Sequence, residues 1–273
     1  MKISVIIPTY KPQAYLWECL GSLCRQTFDK NAFEIILILN GCKEPYYAQI
    51  KEYISANMSG CNVVLLQTDT GGVSNARNIG LDIAKGEYIT FIDDDDYVSS
   101  KYLECLYEKV AIDTVSLCYP YAFDECEPEV QLQYHLTDVY DEYHTRTKLH
   151  LSSKVRKYFS GPWMKLIPKH FISQYRYDTR LSIGEDTLFM FIISKGIRNI
   201  TFSSKKAIYY RRNRSNSAIN VRRAKTEYLR TNVIQLYQYC YYYLKAPCGY
   251  NFIFFVTRVA GAFFSMFMNV FRP

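Results

Sequence analysis

Phe91-Ile92-Asp93-Asp94-Asp95-Asp96-Tyr97 is the stretch whose reading decides this chain. Ile89, Phe91 and Ile92 form the end of a buried strand, and four acids emerge where that strand stops. Adjacent carboxylates repel and raise one another's pKa. They are tolerated when solvated, or when a hard divalent cation sits among them, since Mg2+ and its relatives take a few carboxylates plus phosphate oxygens. An isolated run of four aspartates would be a solvated turn capping the next helix. Its position after a strand, and its surroundings, favour the cation.

Working outward, strand and helix patterns alternate through the first hundred residues. Strands are expected at Ile3–Pro8, Phe33–Leu39, Val63–Gln67 and Tyr88–Ile92, and helices at Tyr15–Gln26, Pro45–Met58 and Ser74–Ala84. That rhythm implies an α/β fold with a mostly parallel sheet and right-handed crossovers. Ligands of such sheets collect at the carboxyl ends of the strands. Pro8-Thr9-Tyr10, Asn40-Gly41-Cys42 and the acidic run fall at those ends and would converge on one crevice. The middle, Asp113–Tyr158, mixes Tyr, His and acids without period and is expected to be irregular, with two strands. Gly184–Ile193 opens like a helix with acids in its first turn, which the helix dipole favours. Lys206–Arg211 is the last strand candidate.

At 273 residues, with 49% hydrophobic and 22% charged residues, the chain is globular rather than disordered. Its nine cysteines are scattered and odd in number, which excludes zinc-ribbon and disulfide-framework readings and suits a reducing compartment. The first residues read as a strand, not an export signal. The four histidines lack metal-ligand spacing. Neither a P-loop nor a dinucleotide-binding glycine motif is present.

The net charge of +7 is concentrated at the end: from Asn220 onward seven basic residues face one acid, Glu227. No nucleic-acid motif accompanies them, so an anionic lipid surface is the better partner. Leu229, Val233, Leu236, Cys240 and Leu244 recur at helical spacing. Phe252–Phe271 is then apolar except for Arg258, borderline for a membrane span. On a helix Arg258, Ser265, Asn269 and Arg272 share a polar stripe, which suits a helix lying in the membrane interface. Packing on the chain's own core or on a second copy is the competing reading, which leaves a homo-oligomer open.

Four segments in order resemble the family 2 glycosyltransferases, inverting enzymes of the GT-A fold. These are Ser4-Val5-Ile6-Ile7-Pro8-Thr9-Tyr10-Lys11, Gly72-Val73-Ser74-Asn75-Ala76-Arg77-Asn78-Ile79-Gly80-Leu81, Ala84-Lys85-Gly86-Glu87-Tyr88-Ile89 and the acidic run. The resemblance covers about residues 1–215. It implies a Rossmann-like GT-A domain over 1–218, with a nucleotide-sugar half to about 112 and an acceptor half beyond it. Residues 219–273 would be a helical extension. Together with the basic, aromatic end of the chain it points to a cytoplasmic enzyme, peripheral on the inner face of the cell membrane. It would move a sugar from a nucleotide-sugar, in the first place a UDP-sugar, to a hydroxyl of a glycan or lipid-linked glycan, as in bacterial surface polysaccharide synthesis.

The resemblance also implies roles. Asp95 would hold Mn2+ or Mg2+ with help from Asp93, and Asp93 and Asp94 would lie along the nucleotide-sugar. Asp96 would cap the helix starting near Tyr102. Pro8, Thr9 and Tyr10 would floor the base, Tyr10 by stacking. Asn40 stands where the family usually has an acid, and it can still hydrogen-bond a base edge. Arg77 would contact the nucleotide or the acid cluster. Trp163, in Gly161-Pro162-Trp163-Met164-Lys165-Leu166, would face the sugar or acceptor. Glu185-Asp186 resembles the family's acid pair, with Asp186 the base and Glu185 in reserve. In the loop Tyr210–Ser217, Arg212 would contact the diphosphate. A catalytically degenerate scaffold of the same fold is the alternative. A nucleotidyltransferase is weaker, because Thr9-Tyr10-Lys11-Pro12 is not a dense phosphate-binding loop.

Overall fold

The computed structural model describes residues 1–147, 149–214 and 224–271. Ser215–Ser217 of the expected phosphate loop, together with Arg222, Arg223 and Arg272, lies outside the described residues. The first half runs β1 (Ile3–Thr9), α1 (Ala14–Cys24), β2 (Phe33–Asn40), α2 (Tyr46–Asn57), β3 (Val63–Thr68), α3 (Val73–Ile83), β4 (Tyr88–Phe91), β5 (Tyr97–Val98) and α4 (Tyr102–Tyr107). It continues with β6 (Thr114–Leu117), β7 (Tyr119–Asp124), β8 (Glu127–Gln131), α5 (His135–Tyr143), a 3-10 segment (Lys154–Ser160), β9 (Lys165–Pro168) and α6 (Lys169–Ile172). Then come α7 (Glu185–Ile193), β10 (Asn199–Phe202), β11 (Ile208–Asn213), α8 (Lys225–Lys245) and α9 (Phe252–Met266).

The main sheet has the order β10-β6-β9-β4-β1-β2-β3, with β9 alone antiparallel to its neighbours β4 and β6. β1 and β2 are buried along their whole length, and apart from Ser4, Thr9, Glu34 and Asn40 every residue in them is apolar. Register sets the site. Ile6 pairs with Phe91, so Asp93 and Asp94 leave β4 beside Pro8 and Thr9 at the end of β1. Gly86 lets β4 start there: a Cβ on it would lie 2.4 Å from the Ser4 backbone nitrogen. The sheet thus has the expected parallel α/β character, and it runs on past residue 112 through β6, β9 and β10.

A second sheet, β5-β11-β7-β8, follows the acidic run. Tyr210 of β11 pairs antiparallel with Tyr97, and the strand's continuation carries Arg212 across Asp95 and Asp96. The segment expected to be irregular holds three strands and a helix instead. β8 is fully exposed and rich in acids, so its sequence carries no burial signal. The last strand candidate is real but shifted two residues along, and β10 was not anticipated.

The C-terminal helices pack on α7. Tyr250 stacks on Phe191 at 4.9 Å between ring centroids and donates to the Ile192 carbonyl. The inward face of α8 is Thr231, Asn232, Gln235 and Tyr239, while Leu229, Val233 and Leu244 of the expected apolar stripe are exposed. Along α9 and just past it the polar stripe divides: Arg258 turns inward while Asn269 is exposed. Arg258 donates to the Phe159 carbonyl at 2.5 Å, so it braces the helix rather than forming a basic edge.

Candidate active site

Arg77 is the hub. It sits on α3, 2% exposed, and its guanidinium donates to Asp186 Oδ1 at 2.6 Å and to Asp93 Oδ1 at 3.0 Å. Glu185 Oε1 lies 4.0 Å away, and the Tyr177 ring sits 5.4 Å from the guanidinium carbon. One buried cation therefore joins the acid at the end of β4 to the acid pair opening α7. Burial works against the Arg77 charge, but Asp186, Tyr177 and Asp93 more than offset it and hold its pKa above the usual range. Burial pushes the Asp186 carboxyl up to about 7, while Arg77 and, more weakly, Lys165 pull it down. A carboxylate that titrates near neutrality suits proton abstraction.

The acidic run divides its work. Asp94 accepts a hydrogen bond from the Thr9 hydroxyl, and burial pushes its carboxyl up to about 7. Asp96 does not cap α4, whose N-cap is Lys101 without a side-chain bond. It is buried instead, accepting from the Arg212 backbone N–H at 2.7 Å and from the Tyr209 hydroxyl. Asp93 and Asp95 stay partly open to the crevice. Carboxylate oxygens of Asp93, Asp95 and Asp96 lie within 4.8 Å of one another, an oxygen set that fits a hard divalent cation. Burial and Asp93 raise the Asp95 pKa, and Arg214, paired with Asp95 at 2.5 Å, lowers it.

Two expected contacts are altered. Asn40 is 4% exposed, and its amide bridges the Thr9 carbonyl (2.7 Å) and the Gly72 N–H (2.9 Å). It therefore fastens the ends of β1 and β2 to the loop before α3 instead of offering a free base-reading edge. The Arg212 fork is committed to Glu18 and to the Asp95 carbonyl and covers Phe123, so it is not free for a diphosphate. Arg214, which the sequence did not single out, is the arginine on Asp95, stacked over Tyr15 at 4.6 Å. Residues 212 and 214 share a strand face, so alternation could not choose between them.

Pro8 and Thr9 are buried, whereas Tyr10 is 53% exposed with its ring against Gly41. Trp163 is half-buried, its ring folded over Gly161 so closely that a Cβ there would lie 2.4 Å from it. Met164 adopts a left-handed backbone at φ 65°, a conformation that needs support. Lys165 supplies it: wholly buried, its ammonium donates to the Gly161 and Trp163 carbonyls at 2.7 and 2.6 Å. Burial lowers the Lys165 pKa to about 7. No role was expected of Lys165 within Gly161–Leu166, because its partners are backbone carbonyls, which leave no trace in side-chain identity.

Comparisons with known proteins agree with this geometry. A model of glycosyl transferase family 2 matches residues 4–174. Glycosyltransferase GlyA of Streptococcus pneumoniae serotype 4 is 29% identical over 192 residues, covering 68% of this chain and 27% of that protein. Poly(ribitol-phosphate) beta-N-acetylglucosaminyltransferase TarS of Staphylococcus aureus is 38% identical over 104 residues, 38% of this chain and 18% of its own length. The chain thus spans about a quarter or less of these relatives. The crystal structure of S. aureus TarS 1–349 in complex with UDP-GlcNAc superposes with a TM-score of 0.73 at 23% identity, over 98% of this chain and 73% of that one. That likeness establishes the GT-A fold. With the family model spanning the crevice from β1 past β9, the chain belongs to glycosyl transferase family 2.

Proposed function

We propose that this chain is an inverting glycosyltransferase moving a sugar from a UDP-sugar to a hydroxyl of a glycan or lipid-linked glycan. The observation that carries it is the Arg77 bridge, which holds Asp93 and Asp186 on one guanidinium. Asp93 and Asp95 would hold Mn2+ or Mg2+, with Asp96 behind them. When bound, the ion supplies charge neutralisation on the diphosphate. Tyr10 floors the base, Asn40 shapes that floor, and Arg214 serves the diphosphate side in place of Arg212. Trp163 faces the sugar or acceptor. The acceptor oxygen attacks the anomeric carbon from the face opposite the nucleotide, and the glycosyl C–O bond breaks with its electron pair leaving on the diphosphate. The hydroxyl proton passes to the Asp186 carboxylate. One displacement needs no enzyme nucleophile and inverts the centre.

A thermal-shift panel of UDP, GDP, CMP and dTDP, each with and without Mn2+, tests the donor side. UDP is expected to stabilise the protein, more so with Mn2+, and Asp95→Asn to lose the Mn2+-dependent part. Equal increments in wild type and Asp95→Asn would remove Asp95 from the metal site, and silence with all four nucleotides would favour the degenerate scaffold.

We further propose residues 1–218 as the catalytic unit and 219–273 as its attachment to the inner face of the membrane. Phe252, Ile253, Val256, Phe263, Phe264 and Phe267 of the last helical stretch are exposed together, and the helix is long and apolar enough to cross a bilayer. Arg230 and Lys245, exposed on α8, add charge suited to anionic lipid. Replacing Phe263, Phe264 and Phe267 by Ser removes exposed rings only, so folding should persist. Partition onto phosphatidylglycerol vesicles should fall by about tenfold or more, given the apolar area each ring buries. Wild-type protein that stays in the supernatant would instead make this face a contact with a second copy.

A further inference from the structure

Between α6 and α7 the chain turns inward at Tyr177, which is 3% exposed although it belongs to no helix or strand. Asn78, next to Arg77 on α3, pins its backbone: Asn78 Oδ1 accepts from the Tyr177 N–H at 2.7 Å, and the Asn78 amide donates to the Tyr177 carbonyl at 3.0 Å. The ring then touches every element that carries the Arg77 bridge. Its face lies 5.4 Å from the Arg77 guanidinium carbon. It stacks on Phe189 at 3.9 Å between centroids, and Phe189 shares a face of α7 with Asp186, one turn earlier. It meets Phe91 edge-on at 6.0 Å, just before Asp93 leaves β4. The bridge needs such a support. Arg77 gives one terminal nitrogen to Asp186 and the other to Asp93, while its Nε is buried without a hydrogen-bond partner. Two bonds fix a line and leave the guanidinium plane free to turn about it. An aromatic face against the cation removes that freedom. The Tyr177 hydroxyl is itself buried without a hydrogen-bond partner, so the ring is what acts on Arg77.

We propose that Tyr177 is a positioning residue for the transfer: its ring holds the Arg77 guanidinium in the orientation that presents Asp186 to the acceptor hydroxyl. This rests on the transferase reading above and adds to that reaction a residue that acts through Arg77. A base misplaced by about 1 Å costs on the order of 100-fold in rate, so the support of the bridge matters as much as its acids.

Variants of the full chain separate the ring from the fold. Turnover is read as UDP released from UDP-GlcNAc or UDP-glucose, with Mn2+ present and water as the acceptor. Tyr177→Leu is expected to lower kcat by about tenfold or more, with the KM for the donor unchanged within about twofold. Tyr177→Phe keeps the ring and removes an unmet hydroxyl, so it should keep the wild-type kcat and fold at least as stably. A second readout needs no turnover. In denaturant unfolding, Tyr177→Leu should lower the folding equilibrium constant of wild type by about threefold or more beyond its effect on Arg77→Met, because its contact is with that cation. If Tyr177→Leu fails to fold, Asn78→Ala takes its place in both measurements, since it frees the Tyr177 backbone and leaves the ring. Equal kcat losses in Tyr177→Phe and Tyr177→Leu, a kcat that Tyr177→Leu leaves intact, or additive losses in unfolding overturns the assignment. If wild type binds UDP with Mn2+ yet releases none from either sugar, the transferase reading stands on donor binding and the unfolding cycle decides on Tyr177. If UDP also fails to bind, that reading falls first.

Discussion

Asp186→Asn is expected to bind UDP as wild type does and to lose about 10²–10⁴-fold in transfer rate. Asparagine keeps the shape of the side chain and an oxygen for Arg77, so the Asp93 end of the bridge stays in place. What it loses is the capacity to accept the hydroxyl proton. The same argument fixes the pH dependence. Asp186 is active only without its proton, and burial raises its pKa to about 7. The wild-type rate should therefore rise as pH increases through neutrality and fall away on the acid side. Steady-state rates between pH 5.5 and 8.5, with UDP binding measured alongside, check both statements. Retained transfer in Asp186→Asn, with a large loss in Glu185→Gln, would move the role to Glu185, whose carboxylate is only 4.0 Å from the same guanidinium.

The parts legible in the sequence are those where burial is two-sided or local. β1 and β2 lie inside the sheet, so Ile3–Pro8 and Phe33–Leu39 are apolar except for Ser4 and Glu34, which hydrogen-bond to each other in the core. The acidic run is equally plain, because four adjacent acids at a strand end have few structural uses. What the sequence hides is set by partners far along the chain. Asp96 looks like a helix cap and is instead claimed by Tyr209 and the Arg212 backbone, more than a hundred residues away. Arg212 looks free until Glu18 of α1 takes its fork. Asn40 looks like a base reader until the Thr9 carbonyl and the Gly72 N–H consume its amide. On α8 the leucine spacing suggests an inward apolar stripe. The surface beneath it, however, presents the Gly184 carbonyl and the Thr187 hydroxyl, so the helix turns Gln235 and Tyr239 inward and leaves Leu229 and Leu244 outside.

Arg77→Met should be the most destabilising single change at the site. Methionine fills much of the volume but leaves Asp93, Asp186 and Glu185 converging on a space with no positive charge. Removing one partner of a buried ion pair costs about 3–5 kcal/mol, chiefly because the charge left behind has neither water nor a counter-ion. For a chain of this size that is a fall in Tm of roughly 6–20 °C. Its pH dependence has a definite sign. The folded-state pKa of Asp186 already lies above its unfolded value, and loss of the Arg77 charge raises it further. A carboxyl raised in this way binds more protons folded than unfolded, so stability increases as pH falls through the folded pKa. The deficit of Arg77→Met is thus fully present at alkaline pH and shrinks on acidification. Denaturant unfolding at pH 8.0 and 5.5 measures it. The double variant Arg77→Met with Asp186→Asn then isolates the cause. If the orphaned carboxylate is what destabilises, neutralising it should return part of the loss, about 0.5–3 kcal/mol of coupling. Additive losses, or a deficit below 1 kcal/mol at pH 8.0, would mean that water reaches these acids freely, and the site would lose the low-dielectric setting that makes Asp186 a base near neutrality.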